Sequence, residues 1–168
     1  MELIQKTIVC DIEANGLLSD ITTIHCICLK ELNTGEVQAF HGENIKKALD
    51  ILNAEGTVVI GHNFIGYDLP VLQKFFEMKL DYKAIIDTLL LSRMFHPDLK
   101  KHPDCPASKQ TIDGRKTIGA HSLENWSHIV GGAEKIGVED WSTFTPEMLQ
   151  RCKNDVLITE RIYNSLME

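Results

Sequence analysis

Long apolar runs are missing from this sequence, and none approaches the ~20 residues that a membrane-spanning helix needs. Basic residues are scarce: 17 Lys and Arg stand against 24 Asp and Glu, a net charge of −7 that argues against gripping long duplexes by general electrostatics. Cysteine is odd in number and spread along the chain, at Cys10, Cys26, Cys28, Cys105 and Cys152. No paired spacing suggests a disulfide framework, so a reducing, cytosol-like compartment is the simplest reading. The first residues, MELIQKTIVCDIEANG, carry Glu2 and Asp11 and lack the basic end and apolar core of a secretion signal. Repeats and low-complexity tracts are absent as well. The expectation is one intracellular domain over residues 1–168, large enough to bury a core.

What is present alternates between strand and helix signals. Thr7-Ile8-Val9-Cys10 is a β-prone run ending at Asp11, Ile21 to Lys30 reads as a second strand, and Glu36 to His41 as a third after the turn Asn33-Thr34-Gly35. Glu43 to Ala54 has helical apolar spacing, Thr57 to Ile60 is a buried strand closed by Gly61, and Leu69 to Met78 is helical with Pro70 in its first turn. Ile85-Ile86 is a fifth strand, followed by a helix over Thr88 to Phe95. Residues 96–119 dissolve into a long loop with three prolines and two glycines. That loop carries Lys100, Lys101, Lys109, Arg115 and Lys116 against Asp98, Asp104 and Asp113, a basic stretch suited to steering a strand end or simply to a solvated connector. Ser122 to Val130 and Pro146 to Met167 close the chain as helices, the latter capped by Thr145. The sum is an α/β chain: a mixed sheet flanked by helices.

The acids carry the chemistry. Asp11 and Glu13 are separated by one residue, and strand alternation sends both side chains to the same side. Two carboxylates that close repel unless a cation lies between them, and oxygen donors favour a hard ion such as Mg²⁺ or Mn²⁺. A solvated turn is the bland alternative, because Asn15-Gly16 follows. Asp68 ends the polar loop His62-Asn63-Phe64-Ile65-Gly66-Tyr67 and begins a helix, where capping would explain it equally well. Asp155 borders the apolar face of the last helix, and a salt bridge with Arg151 one turn earlier competes there with a metal role.

Taken in order, the runs VCDIEANGLL at 9–18, GHNFIGYDLPVL at 61–72, IDTLLLSRMFHPDLK at 86–100, GAHSLENW at 119–126 and NDVLIT at 154–159 resemble the DEDD exonuclease superfamily. The nearest resemblance is to proofreading 3′→5′ exonuclease domains of family A DNA polymerases from short-tailed phages. It implies a ribonuclease H-like, mixed five-stranded sheet, with an antiparallel meander plus parallel strands. It also implies a two-metal site using Mg²⁺ or Mn²⁺: Asp11 bridging both ions, Glu13 and Asp155 completing one site, Asp68 supporting the other through water. Two ions roughly 4 Å apart would activate the attacking water and stabilise the leaving 3′ oxygen. They would also offset four of the seven net negative charges. Single-stranded or frayed DNA 3′ ends become the expected substrate, nucleoside 5′-monophosphates the product, and a DNA polymerase subunit a candidate partner, in the cytoplasm or in a host's cytoplasm for a phage-encoded chain. An RNA-trimming exonuclease and a catalytically weak binding domain on the same fold are the alternatives. Asn63 is expected to steady the substrate end, with His62 beside it, and Phe64 and Tyr67 to contact the terminal base. Asp87 reads as a strand-to-helix cap.

One position departs from the family. Members carry a Tyr four residues, or a His five residues, before the last acid, and here those places hold Arg151 and Gln150. A guanidinium stays protonated and cannot act as the base. Arg151 is therefore a candidate for contacting the scissile phosphate or its developing charge, and His102 or His121 for supplying the missing role. Elsewhere, Cys26 and Cys28 read as buried apolar residues rather than zinc ligands, and Trp126 as core; Trp141 could stack a base.

Overall fold

The β-prone run beginning at Lys6 forms the middle strand, β1 (Lys6–Ala14), of a five-stranded sheet in the computed structural model, which describes residues 6–105, 119–132 and 136–168. Antiparallel β2 (Ile24–Glu31) and β3 (Val37–His41) extend the sheet on one side. Parallel β4 (Thr57–Gly61) and β5 (Ile85–Asp87) extend it on the other, giving the order β3-β2-β1-β4-β5. This is the expected meander plus parallel strands.

Period-two alternation in β1 sorts its residues between two cores. Ile8, Cys10 and Ile12 join Leu49 and Leu52 of α1 (Ile45–Leu52) and Leu69 and Leu72 of α2 (Leu69–Phe75). Val9 points the other way, with Cys26, Cys28 and Ile60, against Met148, Cys152 and Val156 of the long helix α5 (Pro146–Met167). Asp11 and Glu13 share the parity of Val9, so they point to the α5 side. A third cluster joins Trp126 of α4 (Leu123–Val130) to Ile158 and Ile162 of α5. Trp126 is buried, as expected, and its indole N–H donates to Ser92 Oγ of α3 (Thr88–Phe95) at 2.8 Å. All five cysteines are buried and none is in a disulfide, consistent with small, largely apolar roles.

Several boundaries differ from the sequence expectation, each for a local reason. β2 begins at Ile24 rather than Ile21 because Asn15 Oδ1 accepts from the amides of Thr22 and Thr23 and turns that segment away from the sheet. Strand β1 runs three residues beyond Asp11, pairing with β2 as far as Ala14 through a register shift at Glu13. Asp11 therefore lies within a strand, not at its end. The second helix stops at Phe75, since Phe76 is extended (φ −140°, ψ 159°). Of the basic loop, Lys109, Arg115, Lys116 and Asp113 lie outside the described residues. Lys100 and Lys101 are exposed, and Lys101 pairs with Asp98 at 3.0 Å. The α5 boundaries match the sequence reading, with Thr145 accepting from the Met148 amide and Pro146 in the first turn.

Candidate active site

Strand β1 delivers Asp11 and Glu13, and the packing of α5 across the same face delivers Asp155. One carboxylate oxygen from each of the three lies within 4.8 Å of the others. Asp11 Oδ2 is buried and, among the described residues, is the one buried side-chain oxygen or nitrogen without a hydrogen-bond partner. Burial, followed by the charges of Asp155, Asp68 and Glu13, pushes the Asp11 carboxyl well above the usual carboxylate range. An orphaned oxygen inside an all-oxygen cluster is the donor set a hard divalent cation takes, so the residues fit such an ion.

Asp68 is buried beside this group but outside the three-acid cluster. Burial raises its pKa too, opposed by hydrogen bonds from its own backbone amide and that of Ile12. The capping explanation for Asp68 does not hold. Phe64–Asp68 is a wide π turn running straight into α2, Asp68 is itself helical (φ −59°, ψ −48°), and its side chain makes no cap hydrogen bond.

That turn is held by Asp87. Its carboxylate accepts from the amides of Asn63 (3.0 Å), Ile65 (3.0 Å) and Leu89 (3.0 Å). Asp87 is thus the expected cap of α3 and, in addition, the anchor of the segment carrying Asn63 and Asp68, a tie across 24 residues that sequence spacing could not reveal. Asn63 starts the turn in the left-handed region (φ 61°), which Asn tolerates. It remains exposed.

One expected substrate contact is corrected. Phe64 is fully buried in the core and packs directly on Gly61, where an added Cβ would meet its side chain at 2.7 Å. It has no surface to offer a base. The ring of His62 is committed on both sides, Nδ1 to Thr88 Oγ1 and Nε2 to the His121 carbonyl, each at 2.9 Å. These bonds tie the end of β4 to α3 and to the segment before α4, while His62 also lines a cleft with Asn63 and Arg93. Tyr67 does line an open cleft of about 360 Å³ with Glu13, Leu17 and Trp141, and its hydroxyl donates to the Gly16 carbonyl at 2.6 Å. Trp141, the tryptophan the sequence left as a candidate for stacking a base, forms part of this wall. Of the proposed substitutes for the missing base, His121 bonds Ser92 Oγ at 2.7 Å and lines a separate cleft with His62, Asn63 and Arg93. His102 lines neither of these clefts; it sits beside Pro97 and Asp98.

Burial depresses the His62 pKa to about 4. An unfolded histidine titrates near about 6.5. Between these values the unfolded chain holds a proton that the folded chain lacks, so stability rises with pH across the window and is lost as pH falls through it. Comparing pH 7 with pH 4.5, His62→Gln is expected to lose about 2 kcal/mol less stability than the parent. Equal losses in denaturant titrations at the two pH values would refute this.

Arg151 lies one helical turn before Asp155 on α5. Its Nε donates to Glu13 Oε1 at 2.9 Å and lies 3.8 Å from Asp155 Oδ2, while Nη1 donates to the Ile136 carbonyl at 3.2 Å. The guanidinium carbon lies 5.5 Å from the centre of the Trp141 ring. The ion pair along α5 that the spacing offered as an alternative is present at 3.8 Å, but the shorter contact is to β1.

No protein-family model matches the chain. In sequence it is 30% identical, over 95% of its length, to the DNA-directed DNA polymerase of Escherichia phage T7, and it spans 26% of that polymerase. In structure it matches Brucella melitensis NrnC with bound Mg²⁺ (TM-score 0.65, 16% identity, 98% of this chain and 73% of that one). It also matches E. coli exonuclease I in complex with a dT13 oligonucleotide (TM-score 0.58, 13% identity, 97% and 40%). The structural matches share the sheet and its flanking helices, and the sequence match runs along nearly the whole chain. The chain thus has the ribonuclease H-like fold of these nucleases, and the two kinds of match support a DEDD exonuclease domain.

Proposed function

We propose that the chain is a divalent-metal-dependent 3′→5′ exonuclease that shortens single-stranded or frayed DNA ends to nucleoside 5′-monophosphates. The observation that carries this reading is the Asp11–Glu13–Asp155 cluster, with its orphaned Asp11 oxygen, opening beside the cleft walled by Tyr67, Leu17 and Trp141. Mg²⁺ or Mn²⁺ bound there would supply Lewis acidity toward the phosphate and an activated water. Asp11, Glu13 and Asp155 would hold the ions, with Asp68 supporting through water. NrnC, which shares the fold, has bound Mg²⁺, and exonuclease I has bound an oligonucleotide; both support the assignment.

The rest of the site orients substrate. The cleft has apolar and aromatic walls next to the acids, a shape suited to a terminal base stacking on Tyr67 or Trp141. Burial and the neighbouring acids raise the Tyr67 pKa, and its hydroxyl donates to the Gly16 carbonyl. Asn63, exposed on the turn that Asp87 anchors, would steady the strand end. Similarity to a polymerase over 95% of the chain supports proofreading as the role, with a polymerase subunit as partner.

The test uses matched DNA and RNA oligonucleotides labelled at the 5′ end, incubated with Mg²⁺, with Mn²⁺ and with EDTA. A ladder of shortened 5′-labelled DNA, release of 5′-monophosphates and no product in EDTA are expected. Shortening in EDTA would eliminate the metal reading, and loss of the 5′ label as a mononucleotide would reverse the polarity. Faster cutting of RNA than DNA would favour an RNA-trimming enzyme.

A further inference from the structure

We infer that Arg151 is an internal counter-cation that competes with the divalent ion for Glu13 and Asp155, so that metal and substrate phosphate bind this site cooperatively. The inference rests on the metal reading above and concerns how the site is regulated. Arg151 Nε donates to Glu13 at 2.9 Å and lies within ion-pair range of Asp155 at 3.8 Å, while Asp11 Oδ2 has no hydrogen-bond partner. The arrangement is thus a cation site partly filled by the chain's own cation.

A guanidinium cannot lose its charge at working pH. A divalent ion among these carboxylates therefore faces a persistent positive charge in contact with two of its ligands. Either the ion binds weakly or Arg151 withdraws. The surroundings allow withdrawal, because the Ile136 carbonyl and the face of Trp141 hold the side chain independently of the acids. A guanidinium released from Glu13 presents a planar fork of donors that matches a phosphate, at the mouth of the cleft that Trp141 and Glu13 share. Phosphate then stabilises the withdrawn arginine, the ion takes the freed carboxylates, and each tightens the other by the same factor, as linkage requires. A neutral residue at this position would remove both the competition and the coupling.

Calorimetry with Mn²⁺ tests this, on the parent and on Arg151→Gln, with and without thymidine 5′-monophosphate. Without nucleotide, Arg151→Gln is expected to bind Mn²⁺ about tenfold more tightly than the parent. Nucleotide should tighten Mn²⁺ binding to the parent by about fivefold or more and leave the variant within about twofold. Arg151→Lys, which keeps the charge, should remain as weak a metal binder as the parent. Equal or weaker Mn²⁺ binding by the Gln variant, or the same nucleotide effect in both proteins, overturns the competition while leaving the metal site standing. Absence of Mn²⁺ binding in every protein overturns the metal reading and the competition with it. Should the Gln variant not fold, the Arg151 side-chain N–H resonance of the parent provides the readout: it should shift as Mg²⁺ is titrated, and an unmoved signal at saturating Mg²⁺ overturns the inference.

Discussion

Asp11→Asn is expected to lower cleavage by on the order of 10³-fold or more while making the metal-free protein more stable. Asp11 Oδ2 is buried without a partner, and Asp155, Asp68 and Glu13 all repel its charge. Burying an unsatisfied polar group costs about 1–3 kcal/mol. An amide of the same shape removes the charge and can donate to the neighbouring carboxylates. At this chain length a gain of that size raises the thermal midpoint by roughly 2–4 °C per kcal/mol. The sign with pH follows from the raised Asp11 pKa. The folded carboxyl keeps its proton where the unfolded one has lost it, so the parent's stability is full at acid pH and declines as pH rises through the raised value. The variant should lack that decline. Scanning calorimetry in EDTA and then in Mn²⁺ checks both halves: the variant should melt higher in EDTA, and Mn²⁺ should raise the parent more. A lower midpoint for the variant in EDTA would mean that the Asp11 charge stabilises the fold, and the argument from the orphaned oxygen would be wrong.

Asp87→Ala should have the largest effect on stability. The substitution strips three backbone amides of their acceptor at a residue only 5% exposed. Hydrogen bonds to a charged group are worth about 1.5–3 kcal/mol each, and non-additivity makes about 3–5 kcal/mol a reasonable total. Cleavage should fall as well, because the released turn carries Asn63 and Asp68. Asp87→Asn retains one acceptor oxygen and should lie between the parent and Ala. Denaturant melts give the answer directly. An Ala variant within about 1 kcal/mol of the parent would show that water replaces the carboxylate without penalty and that the turn holds itself.

Much of the frame could be read from residue order alone. Alternation along Thr7–Glu13 places Asp11 and Glu13 on one face, and the structure has them together on the α5 side of β1. Thr145-Pro146 marks the start of α5 because a hydroxyl cap and a proline at the first position are local signals. Five strands, their meander and the burial of Trp126 followed from the same short-range patterns. Asp87 was legible as a cap for that reason, its bond to Leu89 lying two residues away.

The rest depended on distant partners. Spacing alone offered Arg151 the carboxylate of Asp155 one turn away, yet its shorter bond goes to Glu13, 138 residues earlier, because α5 packs across β1. Phe64 adjoins the site in sequence but turns inward, since the π turn rotates it onto Gly61. His62 is drawn into the junction of β4, α3 and α4 by Thr88 and His121. Periodicity along a chain dictates which face a side chain takes, because that is set by backbone geometry within a few residues. It carries no information on what lies opposite that face, and the packing of α5 across the sheet is what brought Asp155 and Arg151 to the two acids of β1.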